Sequence, residues 1–137
     1  MAIYGVGSYY DPDDMTQAFL DRSVAAVGYS EKEAPVFHAI LNRLQTGDIV
    51  YMKSFPPNQG LIIKAVGIVN RARPRHPDAR DDKVGSFISV DWVWRGNEVV
   101  GRIEDKYTAR SLSLYEELNP EVQELVVRLL KSMLNRR

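Results

Sequence analysis

Four groups of side chains in this sequence have types and spacings that could do chemistry. On the run Phe87 to Arg95, strand alternation places Ile88, Val90, Trp92 and Trp94 on one face and Phe87, Ser89, Asp91, Val93 and Arg95 on the other. Two indoles so arranged can wall a planar ring, at about 1–3 kcal/mol per stacked base, and the same spacing also builds a core. Asp91, between apolar neighbours, could accept from an exocyclic amine or stand as a surface strand residue. In Arg71-Ala72-Arg73-Pro74-Arg75-His76 the arginines are two apart, so extended backbone would display them along one side for phosphate contact. A solvated charged loop is the alternative. Lys53 and Ser54, followed by Phe55, form a smaller donor cluster, and Tyr9 and Tyr10, with Tyr4, Tyr29 and Tyr51, add aromatic surface.

Other chemistries find less support. There is no cysteine, which removes disulfides, thiolate metal sites and thiol nucleophiles. The two histidines, His38 and His76, have no evident nucleophile beside them, and no metal is expected. Gly5-Val6-Gly7-Ser8-Tyr9-Tyr10 begins like a dinucleotide fingerprint but has Tyr10 where the last small residue belongs. Asp11, Asp13 and Asp14 begin like a calcium loop, yet Thr16 and Arg22 replace the required glycine and glutamate. No cofactor and no catalytic set is indicated.

These groups must be held by a chain of 137 residues, 45% hydrophobic, long enough to bury roughly 65–70% of its unfolded surface. It reads as one domain over residues 1–137. No apolar run approaches the roughly 18 residues of a membrane span, and Met1 to Tyr10 lack a signal peptide's basic start, so a cytoplasmic protein without membrane contact is expected. Eighteen basic residues balance eighteen acidic ones, which argues against non-specific coating of nucleic acid. The balance is uneven along the chain. Residues 1–50 carry three basic and seven acidic groups, whereas residues 51–100 carry eight basic and five acidic.

The patterns predict a strand over Ile3–Tyr10, a short helix from Asp13 or Asp14 to Arg22, and a second helix from Ser30, with Glu33 completing a capping box, to Leu44. Val36, Phe37, Ile40, Leu41 and Leu44 would face inward. Strands follow over Ile49–Ser54 and Leu61–Val69, the latter apolar except for Lys64. Asn70–Gly85 reads as a long polar loop, Phe87–Arg95 as a strand, Gly96-Asn97 as a hairpin turn and Val99–Ile103 as its return. After a stretch containing Tyr107, Leu112, Leu114 and Tyr115, Asn119-Pro120 opens a helix with Val122, Leu125, Val126, Leu129, Leu130, Met133 and Leu134 on one stripe. Its end is basic, with Arg136 and Arg137. The fold class is α+β.

Gly47-Asp48-Ile49-Val50-Tyr51-Met52-Lys53-Ser54, then Ile63-Lys64-Ala65-Val66-Gly67-Ile68-Val69 and Val90-Asp91-Trp92, resemble the PUA-like superfamily, and within it EVE-type and related modified-base reader domains. The likeness covers residues 1–103 in the order of elements. It implies a bent β-barrel with helices closing one end, joined here by the C-terminal amphipathic helix. It also implies a pocket between barrel and N-terminal helices that accepts a base flipped from DNA or a nucleotide of RNA. The matching positions are Tyr9 or Tyr10, Ser54 with Phe55, and Asp91 with Trp92.

The expectation is therefore a non-enzymatic nucleic-acid-binding module, reading a modified or flipped base. Tyr9, Tyr10, Ser54, Phe55, Asp91 and Trp92 would contact the base, and Lys53, Arg71, Arg73 and Arg75 the phosphates. The alternatives are a small-molecule or free-nucleotide binder, and an assembly module dimerising through the C-terminal helix.

Overall fold

The computed structural model describes residues 1–103 and 110–136. Tyr107 and Arg137 lie outside them. In chain order the elements are β1 (Ile3–Gly7), β2 (Tyr9–Tyr10), β3 (Asp13–Asp14), α1 (Thr16–Arg22), β4 (Val24–Val27), α2 (Pro35–Arg43), β5 (Ile49–Ser54), β6 (Leu61–Arg75), β7 (Ser86–Gly101), β8 (Leu114–Glu116) and α3 (Pro120–Leu134). Six strands form one curled, half-barrel sheet in the order β4-β7-β6-β5-β1-β8, and β2 and β3 pair separately. The β1–β5 pair is parallel and the other pairs are antiparallel.

The fold is α+β with a core on each face of the sheet. On one face Phe19 of α1 and Leu41 of α2 pack with Val6, Val50, Met52, Ala65, Val69 and Trp92. On the other, Val122, Val126, Leu129 and Leu130 of α3 pack with Ile49, Tyr51, Ile63, Val66 and Val93. Strand alternation divides the residues in this way: Ile49 and Tyr51 face α3, while Val50 and Met52 face the other helices. The Asn119 side chain accepts from the Glu121 and Val122 amides at the start of α3. Most of the apolar stripe of α3 thus packs on its own sheet, and Leu134 at its end is exposed. Among the described residues no helix is long and apolar enough to cross a membrane.

Several expected boundaries move. The Ser30–Glu33 capping box forms, with reciprocal bonds of 3.0 and 3.2 Å, but it closes a turn before the helix. Pro35 starts α2, and the extended Ala34 that precedes it, at φ −139°, separates the two. Val36 is consequently exposed and His38 buried. Val24–Val27 and Leu114–Glu116 are strands that periodicity did not signal; each is short and largely buried, so neither alternates.

The predicted loop after Val69 is corrected by β6, which runs on to Arg75, with Arg71 opposite Ser89 and Arg75 opposite Phe87. The predicted Gly96-Asn97 hairpin is also absent. The β7 strand continues past it, and Glu98, Val99 and Gly101 pair with Ile63, Ile62 and Leu61. Gly96 is required for close approach, since a Cβ there would lie 2.7 Å from the Trp94 ring. Finally, Trp92 and Trp94 do not share a face. Val66 pairs with Trp94 and Gly67 with Trp92, so Val93 is an extra residue that bulges β7 and inverts the alternation.

Candidate functional site

Where β1, β5 and β6 meet the start of α1, the surface opens into a cavity of about 480 Å³ lined by Tyr9, Lys53, Ser54, Phe55 and Lys64, with Gly7, Ser8, Asp14, Pro56, Pro57, Ser111 and Ser113. Backbone irregularity puts both lysines there. Met52 pairs with Ala65 but Lys53 pairs with Ile63, so Lys64 is a bulged residue at the point where β5 ends. On the other side Lys53 lies opposite Gly7. A Cβ on Gly7 would sit 3.4 Å from Lys53 Cε, so the glycine leaves the lysine stem its path across β1.

Hydrogen bonds fix the wall. Lys64 Nζ donates to Thr16 Oγ1 at 2.9 Å, and Thr16 Oγ1 is 2.7 Å from Ser8 Oγ. Asp14 Oδ1 accepts from the Thr16 amide at 3.0 Å. The hydrogen bonds from Thr16, and then the nearby Lys64 charge, hold the Asp14 carboxyl below its ordinary range. Lys53 differs from Lys64: it is 8% exposed, and among the described residues no group hydrogen-bonds or ion-pairs with its Nζ. The Tyr115 ring lies 5.9 Å from it. Burial lowers its pKa to about 8. Tyr9 and Phe55, both exposed, stand at the rim.

Of the expected base contacts, Tyr9, Ser54 and Phe55 meet in this cavity together with Lys53, which was expected to meet phosphate. Tyr10 lies next door, lining a cavity of about 240 Å³ with Tyr9 and Tyr29. Its hydroxyl donates to the Val84 carbonyl and its ring meets Phe19 edge-on. Trp92 is in the core, its indole N–H donating to the Val24 carbonyl at 3.0 Å. Asp91 is exposed on the opposite side of the strand, at the position paired with Ile68. Neither lines the cavity. Arg71 and Arg73 are exposed on the β6 extension. Arg75 stacks on Phe87 at 4.7 Å, donates to Ser89 Oγ and lines a separate cavity of about 470 Å³ beside the Arg22–Asp82 ion pair.

No protein-family model and no curated protein matches this chain. Sequence spacing overlooked Ser8 and Thr16, ordinary polar residues that acquire a role only beside Lys64. Lys64 itself had a signal, as the lone charge in an apolar strand. Also unforeseen is a buried network below Lys53. Glu117, 0% exposed, accepts from Arg110 at 2.8 and 3.0 Å, from the Tyr51 hydroxyl at 2.6 Å and from the Asn119 amide at 3.1 Å. The Tyr51 and Tyr115 hydroxyls are 2.8 Å apart. Burial, above all, pushes both phenols far above their ordinary range. The network ties β5, β8 and the start of α3 together behind the cavity.

Proposed function

We propose that this protein is a nucleic-acid-binding module of PUA-like architecture that seats one nucleotide in the cavity between β1, β5 and β6. The observation that carries the proposal is the convergence of Tyr9, Phe55, Ser54 and Lys53 on one opening of about 480 Å³, within the roughly 300–1,000 Å³ typical of ligand pockets. Two exposed aromatic rings at the rim supply stacking faces, and hydroxyls and lysines behind them supply donors to base, sugar or phosphate oxygens. Arg71 and Arg73, extended and exposed seven or more residues further along β6 than Lys64, give more distant phosphates of a bound strand a place to dock. The curled sheet with helices on both faces is compatible with a bent barrel. Trp92 has no part in the contact, because its ring packs in the core.

Fluorescence anisotropy with labelled single- and double-stranded oligonucleotides tests the proposal. Tyr9→Ala or Phe55→Ala should each weaken binding about tenfold, as loss of one stacking face implies. Arg71→Ala with Arg73→Ala should weaken it uniformly across sequences and flatten its salt dependence. Absence of binding at low salt, or rim variants that bind like the wild type, would refute it.

A further inference from the structure

The depth at which the groups sit in this cavity says which part of a nucleotide goes in first. The aromatic rings are at the rim, whereas Lys53 and Ser8, at 8% and 1% exposure, are at the floor. Among the described lining residues Lys64 is held by the Thr16 hydroxyl near Asp14, whereas Lys53 has the Tyr115 ring beside it but no hydrogen-bond or ion-pair partner. An ammonium on a largely buried stem, facing the cavity with no counter-ion among the described residues, favours a ligand that brings one. Its surroundings add hydroxyls from Ser8, Ser54 and Ser113, and Asp14, the one carboxylate among the described lining residues, is already hydrogen-bonded to the Thr16 amide.

We propose that the floor of the cavity binds a phosphate monoester, so that the nucleotide taken up is a phosphorylated strand end or a free mononucleotide with its phosphate inward. The position of the base at the rim rests on the nucleic-acid-binding role proposed above; the preference for an anion at the floor rests on Lys53. A monoester suits the floor better than an internal phosphodiester on two counts. It has one covalent tether, so it can bring its phosphate down to the largely buried lysine, while a diester carries a sugar on each side. It also presents three terminal oxygens and close to two negative charges, enough to engage an ammonium and several hydroxyls together. An arriving anion would return Lys53 towards the ordinary lysine range. Lys64, Asp14 and Tyr9 are the other titratable groups among the described residues lining the cavity, and Tyr115 faces Lys53 from β8.

The test is calorimetric titration of the full chain with short single strands that bear a 5′-phosphate, a 3′-phosphate or hydroxyls at both ends. A nucleoside monophosphate, its nucleoside and inorganic phosphate complete the set. One phosphorylated end should bind at least tenfold more tightly than the all-hydroxyl strand, and the monophosphate more tightly than the nucleoside. Lys53→Met, and independently Lys53→Gln, should abolish that preference, so that phosphorylated and all-hydroxyl strands bind the variant alike. Strands that bind with no end preference overturn the monoester site and leave the nucleic-acid role standing. A monophosphate that binds through Lys53 when no strand does upholds the site and overturns that role. Binding by none of the probes overturns both. The wild-type comparison decides the matter even where a variant fails to fold.

Discussion

A charge held at the floor of a cavity for a ligand should cost the empty protein stability, and Lys53→Met measures that cost. Methionine keeps an unbranched stem of similar length beside Gly7 and the Tyr115 ring and removes the ammonium. Burial lowers the lysine from its ordinary 10.5 to about 8, which corresponds to a penalty of about 3 kcal/mol on the charged form in the folded state. At pH 7 the residue is charged whether the chain is folded or unfolded, so the penalty is fully present. Between about pH 8 and 10.5 the folded chain has released a proton that the unfolded chain still binds. The contribution of Lys53 to stability therefore rises with pH through that window, and the penalty has gone above it. Allowing for relaxation and water at the cavity mouth, Lys53→Met should stabilise the protein at pH 7 by about 2 kcal/mol, near 6 °C in Tm. The gain should shrink towards zero by about pH 10.5. Tyr10, Tyr51 and Tyr115, whose pKa values burial raises, titrate at high pH in both proteins; the difference between variant and wild type isolates Lys53. Urea denaturation of both from pH 6 to 10.5 is the assay. A variant less stable than wild type by 1 kcal/mol at pH 7, or a difference that ignores pH, would refute the reasoning. A stabilised variant that has also lost its ligand would show a binding residue retained at the expense of stability.

Three further outcomes are expected. Glu117→Gln leaves Arg110, 3% exposed at its side chain, facing a neutral partner in the interior, and should destabilise by about 3–5 kcal/mol; adding Arg110→Met should restore part of the loss in chemical denaturation. Trp92→Phe removes the donor that satisfies the Val24 carbonyl and should cost about 1–3 kcal/mol by thermal melting while leaving oligonucleotide affinity unchanged, because Trp92 does not line the cavity. Gly67→Ala would place a Cβ 2.6 Å from the Asp91 carbonyl oxygen and 3.0 Å from the Trp92 ring; a loss of about 1–3 kcal/mol is expected, and a neutral variant would show that β6 and β7 can part at this point.

Much of the architecture is written in local pattern. The α3 stripe from Val122, its Asn119-Pro120 start, the strand Ile49–Ser54 and the apolar β6 segment all follow from side-chain periodicity and capping chemistry, which act within a few residues. The aromatic and basic character of Tyr9, Lys53, Ser54 and Phe55 is equally visible in the one-dimensional chain. Tertiary pairing decided the rest. Arg71 to Arg75 look like loop until Phe87 and Ser89 are found opposite them, and Gly96-Asn97 looks like a turn until β6 is found running alongside. One bulged residue, Val93, sends Trp92 into one core and Trp94 towards the other, and a second, Lys64, brings a charge to the end of β5. A bulge depends on the register between two strands far apart in sequence, and the side-chain period within either strand carries no record of it. The residue types of the site thus belong to the sequence. Their convergence on one cavity, and the exclusion of Trp92 from it, belong to strand pairing.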